Sequence, residues 1–320
     1  MPIYYGGKKV KSLYFGGKKI ASAWYGGKCV YQALTFLPNP TQVWQWQAPS
    51  AVQSVAVDSQ FNVYASDYSN NVTKLDSTGK QVWQWQAPDI VRSVAVDSEF
   101  NVYSGDWSNY VTKLDSTGKQ LWQWTEPAGV GSVAVDNQLN VYVGGYGPTI
   151  VTKLDSTGKQ VWQWQAPSGV QSVAVDSKFN VYAGDSNFHS SGACVTKLDS
   201  NGNQLWQWQS SGSVLSVAVD SKFNVYAGDG DGGVTKLDST GKQVWRLRVP
   251  GDVNSVAVDS QFNVYAGDTS NNVTKLDSTG KQVWQWKASS GVQSVAVDSK
   301  FNVYAGDSSL HITKLKTAKQ

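Results

Sequence analysis

The sequence is dominated by one unit of about 40 residues that occurs seven times. The string SVAVD begins at Ser54, Ser93, Ser132, Ser172, Ser216, Ser255 and Ser294. A TKL string and a Trp-centred run, usually VWQW, also recur seven times in the same order. A unit of this length buries its apolar surface by stacking on its neighbours, and seven of them are typical of the blades of a β-propeller.

Each copy of the unit predicts four short strands with turn residues between them. SVAVD is β-branched and alternating (strand a), and NVYAGD, VTKL and QVWQWQ follow as strands b, c and d. The DSTGK turn before strand d combines an Asp that can bond its own backbone with a Gly that can take positive φ. The predicted fold class is therefore all-β, a seven-bladed β-propeller of four-stranded antiparallel blades.

The order of the strands predicts how the ring closes. The first Trp run, residues 42–47, precedes the first SVAVD, and the last copy ends on strand c near Lys316. We expect 42–47 to pair with 311–316 and complete blade 7, which removes an open sheet edge. The two Trp of each strand d share one face of the sheet, so we expect them to pack on the next blade. A ring of exposed Trp that stacks on sugars is the alternative.

A shorter repeat, IYYGGKKV, LYFGGKKI and AWYGGKCV, occupies the first residues with a period of ten. Its Gly pairs predict β-hairpins, which bury little surface alone. We therefore expect a module over 1–36 that attaches to another protein or self-associates, with a linker over 37–41 and the propeller over 42–320. A floppy basic leader is the alternative. The candidate attachment residues are Tyr4, Tyr5, Tyr14, Phe15, Trp24 and Tyr25.

Charge and hydropathy narrow the possible partners. The net charge is +3, but residues 1–40 hold six lysines and no acid, which leaves the propeller mildly acidic. Nucleic-acid binding is therefore not expected, and the absence of long apolar runs predicts no membrane insertion. The start MPIYYGGKKV lacks the pattern of a signal peptide, so we expect synthesis in a bacterial cytoplasm. The two cysteines, Cys29 and Cys194, are expected to be inert thiols.

The loops between strands b and c and between strands d and a differ from copy to copy, whereas the other two turns are nearly uniform. Variable loops on one face of a rigid scaffold commonly form binding surfaces, although drift gives the same pattern. Aromatic rings beside Asp and Asn suit a sugar ligand. The candidate residues of this face are Tyr68, Trp107, Tyr110, Tyr146, Phe188, His189, Asp231 and His311.

Catalysis is not expected from the residues present. The two histidines belong to different blades, and the sequence contains no nucleophile elbow and no nucleotide fingerprint. Asp58 and its six counterparts recur once per blade, which indicates turn capping. The Asp229-Gly-Asp231-Gly string lacks the further ligands of a calcium loop. We therefore expect no enzyme activity, no metal and no cofactor.

Two resemblances to known families follow from these motifs. The unit SVAVDSKFNVYAGD–VTKLDSTGKQVW resembles the bacterial seven-bladed propeller repeat, and its DSTGKQVW part resembles the pyrroloquinoline-quinone-type repeat, over residues 42–316. Such repeats occur in scaffolds, binding proteins and enzymes, and the Cys pair and cationic contacts expected of a quinone enzyme are missing.

Residues 3–31 are similar to the short tandem repeats near the termini of phage and prophage tail proteins. That similarity implies a tail-associated virion protein, released by lysis, whose residues 1–36 attach to other virion proteins while its propeller presents a recognition face to a host surface glycan or protein. A protein–protein interaction scaffold, in the virion or in a cytoplasm, is the alternative. An enzyme of unknown class is the third candidate.

Overall fold

The computed structural model describes residues 4–5, 8–9, 14–15, 18–19, 22–25, 28–32, 35–127, 129–147, 149–186 and 192–319. These residues form strands, turns and irregular segments. No helix long and apolar enough to span a bilayer occurs among them.

Three two-stranded antiparallel ladders lie at the start of the chain, as the Gly-Gly repeats predict. They pair β1 (Tyr4–Tyr5) with β2 (Lys8–Lys9), β3 (Tyr14–Phe15) with β4 (Lys18–Lys19), and β5 (Ser22–Tyr25) with β6 (Lys28–Gln32). The candidate attachment residues all lie on the first strand of a ladder, and their side chains are outside the described set. The attachment role of this module stays a prediction.

The long strand β7 (Thr35–Gln47) follows, and then the strands of the blades in chain order. Blade 1 consists of β8 (Val52–Val57), β9 (Val63–Asp67), β10 (Asn71–Leu75) and β11 (Gln81–Gln86), and blade 2 of β12 (Val91–Val96), β13 (Val102–Asp106), β14 (Tyr110–Leu114) and β15 (Gln120–Thr125). Blade 3 consists of β16 (Val130–Val135), β17 (Val141–Gly145), β18 (Ile150–Leu154) and β19 (Gln160–Gln165), and blade 4 of β20 (Val170–Val175), β21 (Val181–Asp185), β22 (Cys194–Leu198) and β23 (Gln204–Gln209).

The remaining blades repeat this order. Blade 5 consists of β24 (Val214–Val219), β25 (Val225–Asp229), β26 (Gly233–Leu237) and β27 (Gln243–Arg248), and blade 6 of β28 (Val253–Val258), β29 (Val264–Asp268), β30 (Asn272–Leu276) and β31 (Gln282–Lys287). Blade 7 consists of β32 (Val292–Val297), β33 (Val303–Asp307), β34 (His311–Lys319) and β7. The described chain thus forms seven four-stranded antiparallel sheets, which confirms the predicted fold class.

The first strands of neighbouring blades contact one another around the ring, including β32 against β8, so they form its inner wall. The Ser of each SVAVD string links this wall by accepting a hydrogen bond from a Val N–H of the next blade. The Val94 N–H, for example, donates to Ser54 Oγ at 3.2 Å. Across the closing interface, the Val55 N–H donates to Ser294 Oγ at 2.9 Å. The repeated Ser therefore serves assembly rather than chemistry.

The hydrophobic core lies between blades rather than within them. At the interface of blades 1 and 2, Tyr64 and Val72 pack against Val91, Val94 and Leu114, and all five side chains are buried. The other interfaces bury equivalent clusters. Because each sheet is covered on both faces, strands b and c are buried along nearly their whole length.

The first Trp of strand d docks on the next blade, as the sequence predicts. The Trp83 Nε1–H donates to the Ser116 carbonyl in the c–d turn of blade 2, at 3.0 Å. The indole lies over Gly118 of that turn, where a Cβ would stand only 2.9 Å from Trp83 Cδ2. Gly118 also has a φ of 88°, so two independent constraints require glycine here.

The closing strand pairs as predicted, with Trp44 of β7 opposite Lys314 of β34. The ladder continues further, to Ala318 opposite Phe36. The linker expected over 37–41 is therefore part of β7, and the propeller sheet begins at Thr35. The physical reason is burial, since Thr317 and Ala318 are almost completely buried in this extension.

The interface between blades 6 and 7 differs because blade 7 has no c–d turn to receive a Trp. Phe36 lies there instead, with its ring centroid 3.4 Å from Lys275 Nζ and 5.4 Å from the ring centroid of Phe301.

Lys275 and Trp284 are 1% and 3% exposed, yet neither Nζ nor Nε1 has a hydrogen-bond partner among the described residues. Burial disfavours the charged amine and lowers the pKa of Lys275 to about 8. The cation–π contact with the Phe36 ring offsets part of the free energy lost when the ammonium is buried. We call Phe36, Lys275, Trp284 and Phe301 the seam.

A chain that begins at residue 48 should be far less stable than one that begins at residue 35. The shorter chain loses β7, which exposes the edge of β34 and removes the Trp44 contact with the turn of blade 1. We expect a large fall in Tm, with concentration-dependent aggregation, for the chain that begins at 48, measured by circular dichroism and light scattering. Equal Tm values for the two chains would contradict closure by β7.

Lys275→Met should raise the free energy of unfolding at pH 7 by about 1–3 kcal/mol, because a thioether needs no partner where the ammonium has none. The gain should shrink between about pH 8 and 10, where the wild-type amine is neutral when folded but still protonated when unfolded. Denaturant titrations at pH 7 and 9.5 measure this. The matched control is Lys74→Met, since Lys74 Nζ donates to the Ser116 carbonyl at 3.3 Å. Equal destabilisation of the two variants would contradict the prediction that the buried Lys275 ammonium lowers stability.

Candidate functional site

The antiparallel order of each blade places its b–c and d–a loops at one face of the ring, which we call the loop face. On the three successive blades 1, 2 and 3, the b–c loop starts with Tyr68, Trp107 and Tyr146, which are 45%, 54% and 36% exposed. The same position holds small residues in the other blades, namely Ser186, Gly230, Thr269 and Ser308. We call Tyr68, Trp107 and Tyr146 the aromatic arc.

Short backbone bonds hold the aromatic arc in place. The Trp107 N–H donates to the Ile90 carbonyl at 3.0 Å, and the Tyr146 N–H donates to the Gly129 carbonyl at 2.8 Å. Each b–c loop is thereby tied to the d–a loop of its own blade. The side chains are exposed on a backbone that needs little ordering when a ligand binds.

A cleft of about 320 Å³ opens between blades 2 and 3 on the loop face. The Arg92 guanidinium lies between two rings of the aromatic arc, with its Cζ 5.0 Å from the Trp107 centroid and 5.7 Å from the Tyr146 centroid. Asn109 and Val130 complete the lining together with Gly129 and Gly147. Both ring contacts are within the range of cation–π interactions. We call this the Arg92 cleft.

The sequence interpretation missed Arg92. This residue is the second of strand a in blade 2, at the inner wall of the ring. The counterparts in the other blades are Gln53, Gly131, Gln171, Leu215, Asn254 and Gln293. A comparison of this strand position between blades would have found the lone cation. The repeats differ more visibly in the loops, where variation between copies is expected.

Glycine at position 131 makes room for one wall of the cleft. A Cβ built on Gly131 would lie 3.1 Å from Tyr146 Cδ2 and 2.4 Å from the Val170 carbonyl oxygen. The Tyr146 hydroxyl donates a hydrogen bond to Gln171 Oε1, which anchors the ring on blade 4. Three strand-a positions, at 92, 131 and 171, therefore cooperate to build the cleft.

The other predicted residues of the loop face that the structure describes are not among the residues that line this cleft. Tyr110 begins β14, and its N–H donates to Asp106 Oδ1 at 2.9 Å. His311 lies on blade 7, with Nδ1 3.6 Å from Asp307 Oδ1. Asp231 lies on blade 5, and Phe188 and His189 fall outside the described residues. The structure thus joins Trp107 and Tyr146 in one cleft and places Tyr68, Tyr110, Asp231 and His311 outside its lining. A ligand-binding role stays a prediction for all of the predicted residues.

The Asp that recurs once per blade caps a turn, as the sequence predicts. Asp58 Oδ1 accepts from the Asn62 N–H at 2.9 Å, and Asp58 Oδ2 accepts from the Tyr64 hydroxyl at 3.0 Å. In blade 5, Asp229 forms an ion pair of 2.9 Å with Arg246. No group of His, Cys, Asp and Glu that could hold a metal ion occurs within the described ranges.

Two buried carboxyls on blade 2 have raised pKa values. Burial and, to a smaller extent, Asp89 raise the pKa of Asp106 to about 6. Burial raises the pKa of Glu126 to about 7. Neither carboxyl oxygen of Glu126 has a hydrogen-bond partner in the described part of the chain. The counterparts of Glu126 in four other blades are alanines, namely Ala48, Ala87, Ala166 and Ala288.

Glu126→Gln should remove a pH dependence of stability. The folded pKa lies above the ordinary value, so the folded state holds a proton that the unfolded state has lost, and stability falls as the pH rises from about 4.5 to about 7. At ~1.4 kcal/mol per pKa unit, this loss is about 3 kcal/mol. We expect the variant to exceed wild type by about this amount at pH 8 and to match it near pH 4.5, measured by urea unfolding.

Glu99→Gln is the matched control, because Glu99 is the other glutamate of the chain and its side chain is exposed. This control should follow the wild-type pH profile. A Glu126→Gln profile parallel to wild type would show that folding does not raise the pKa of this carboxyl, and it would contradict the prediction.

Among solved structures, the chain is similar to the crystal structure of the WD40 beta propeller domain of Doa1, with a TM-score of 0.77 and 14% identity, over 86% of this chain and 96% of that chain. At this identity the likeness shows the fold alone. A search of curated proteins finds no match.

A family profile described as outer membrane protein assembly factor BamB matches residues 107–222 and 191–319. These matches lie within the repeats and agree with the resemblance to bacterial propeller repeats. The resemblance of residues 3–31 to phage tail proteins lies outside them and stays a prediction. Because the matched residues make up more than half of the sequence, the chain belongs to the repeat family described as outer membrane protein assembly factor BamB.

Proposed function

We propose that this chain is a non-catalytic binding protein whose propeller presents the loop face to a ligand. The observation that carries the proposal is the Arg92 cleft, in which an arginine lies between two exposed rings on the face where the repeats diverge. Elsewhere the repeated residues serve assembly: the Ser of SVAVD, the Asp of the turns and the Trp of strand d each contact a neighbouring element.

The composition of the cleft supports binding. Trp, Tyr and Arg are the residues that most often dominate the binding energy of interfaces. Trp and Tyr bury a large area with only two side-chain torsions, and Arg presents a planar set of hydrogen-bond donors. Trp107 is 54% exposed, so a ligand that covers it gains apolar burial at a site whose backbone is already fixed. A surface glycan fits best, since rings bind the faces of sugars and Asn109 offers hydrogen bonds to hydroxyls.

The chemistry of the lining supports a role without catalysis. The ionisable side chains of the Arg92 cleft are Arg92 and Tyr146, and neither is paired there with a base or a nucleophile. The repeated carboxylates are engaged in turns, as in Asp58 and Tyr64. An enzyme would need a set of acid, base or nucleophile groups that departs from the repeat and faces one cleft.

The setting in a virion is the finer part of the proposal. Its support is the similarity of residues 3–31 to tail-protein repeats, which would attach the chain to a particle while the loop face points outward. A protein–protein interaction scaffold is the second candidate, and the family description, which names an assembly factor, favours it. In either case the Arg92 cleft is the surface that we expect to be occupied.

The double variant Trp107→Ser, Tyr146→Ser should abolish ligand binding without unfolding the ring. Serine is the residue at the same loop position of blades 4 and 7, Ser186 and Ser308. We expect wild type to bind members of an array of immobilised bacterial surface saccharides and proteins, and the double variant to lose these signals at least tenfold, about 1.4 kcal/mol. Circular dichroism checks that the fold is kept.

The control for this experiment is Lys80→Ala, Lys119→Ala, which alters exposed turns on the opposite face of blades 1 and 2. It should bind like wild type. Binding that survives the double variant but falls in the control would move the functional surface to the other face and overturn the proposal. Signals on proteins alone would favour the scaffold function.

A further inference from the structure

We propose that the ligand of the Arg92 cleft is an acidic saccharide, whose carboxylate is bound by Arg92 and whose ring stacks on Trp107. This inference rests on the proposed function and specifies the chemical class of its ligand. The positive charge of Arg92 has no structural partner in the described part of the fold. Arg92 has no ion pair and no side-chain hydrogen bond among the described residues, and its guanidinium lies against the rings of Trp107 and Tyr146.

Arg246, in contrast, has polar partners for its guanidinium. Arg246 occupies blade 5, where its guanidinium is satisfied by Asp229 at 2.9 Å and by Ser211 Oγ at 2.7 Å. Arg92 is half-buried between rings instead, and ring faces leave the N–H groups of a guanidinium without acceptors. Five N–H donors in a planar fork match the two oxygens of a carboxylate, and such bonds are among the strongest in proteins.

The charge balance of the lining favours an anion. Arg92 is the charged residue among those that line the cleft, and the others are aromatic, aliphatic, amide or glycine. Aromatic neighbours partly exclude water, so the attraction between the guanidinium and a carboxylate is screened less than at an open surface. A neutral ligand offers hydroxyl acceptors to the N–H groups of Arg92, but it leaves the positive charge of the guanidinium uncompensated when it covers it.

The shape and hydrogen bonding of the cleft favour a saccharide over an acidic peptide. Peptides that bind by adding a strand need free backbone groups at a sheet edge. At this cleft the Trp107 and Tyr146 N–H groups already donate to the Ile90 and Gly129 carbonyls. The cleft volume of about 320 Å³ is at the small end for ligand sites. A sugar acid combines a carboxylate with a ring face and hydroxyls, which correspond to Arg92, Trp107 and Asn109.

The test uses the full chain with two matched probes, an oligogalacturonate and its fully methyl-esterified form, which keeps the rings and removes the charge. Isothermal titration at pH 7.5 should show binding of the acid and at least tenfold weaker binding of the ester. Arg92→Gln should weaken binding of the acid at least tenfold and leave the ester unchanged. Glutamine is native at this position in blades 1, 4 and 7, as Gln53, Gln171 and Gln293, so the fold should tolerate it.

Leu215→Gln is the control, because it makes the same residue at the same strand position on blade 5, away from the cleft. This variant should bind both probes like wild type. Binding of the acid should also weaken as salt rises from 50 mM to 500 mM, as expected for an ionic contact.

Two results would overturn the inference. If the ester binds wild type as well as the acid, or if neither binds, the carboxylate assignment is wrong. If poly-glutamate binds in an Arg92-dependent way and the oligogalacturonate does not, the anion belongs to a protein. The proposed function is judged separately, since Trp107→Ser, Tyr146→Ser can still abolish binding of other members of the array.

Discussion

The structure depends on the contact between the Trp of one blade and the glycine turn of the next. Trp83 lies on Gly118 and bonds the Ser116 carbonyl, and equivalent indole bonds recur from Trp44 to Trp245. A single blade is a small sheet that cannot bury both of its faces. The same contact, made repeatedly in one direction around the ring, turns unstable units into one closed core and sets the angle between neighbours.

The contact between Trp and the glycine turn is missing at one interface, where the ring closes. Blade 7 takes its last strand from β7, so it has no c–d turn, and the Trp284 indole and the Lys275 amine at the seam have no acceptor in the described part of the chain. Phe36 fills the space with a ring instead. The two ends of a closed repeat array must meet in one blade. That blade takes a strand from each end of the chain, so it lacks the turn that accepts the Trp indole elsewhere.

Function, as we propose it, arises from a second departure from the repeat. Around most of the ring the second residue of strand a is an amide or an apolar residue, but on blades 2 and 3 it is Arg92 and Gly131. Gly131 admits the Tyr146 ring, and Arg92 fills the gap between Tyr146 and Trp107. A rigid symmetric frame makes such local changes inexpensive in folding free energy, since the core between blades is untouched.

The sequence by itself determined the seven blades, their four strands, the docking of the Trp on the neighbouring blade and the pairing of residues 42–47 with 311–316. These features are encoded by local alternation and by repetition, which are visible in one dimension. Only the tertiary structure decided that β7 reaches back to Thr35, that Lys275 lacks a partner, and that Arg92 stands between Trp107 and Tyr146. Those residues come from separate loops and strands, and they meet because the ring brings neighbouring blades face to face, a geometry that no local pattern contains.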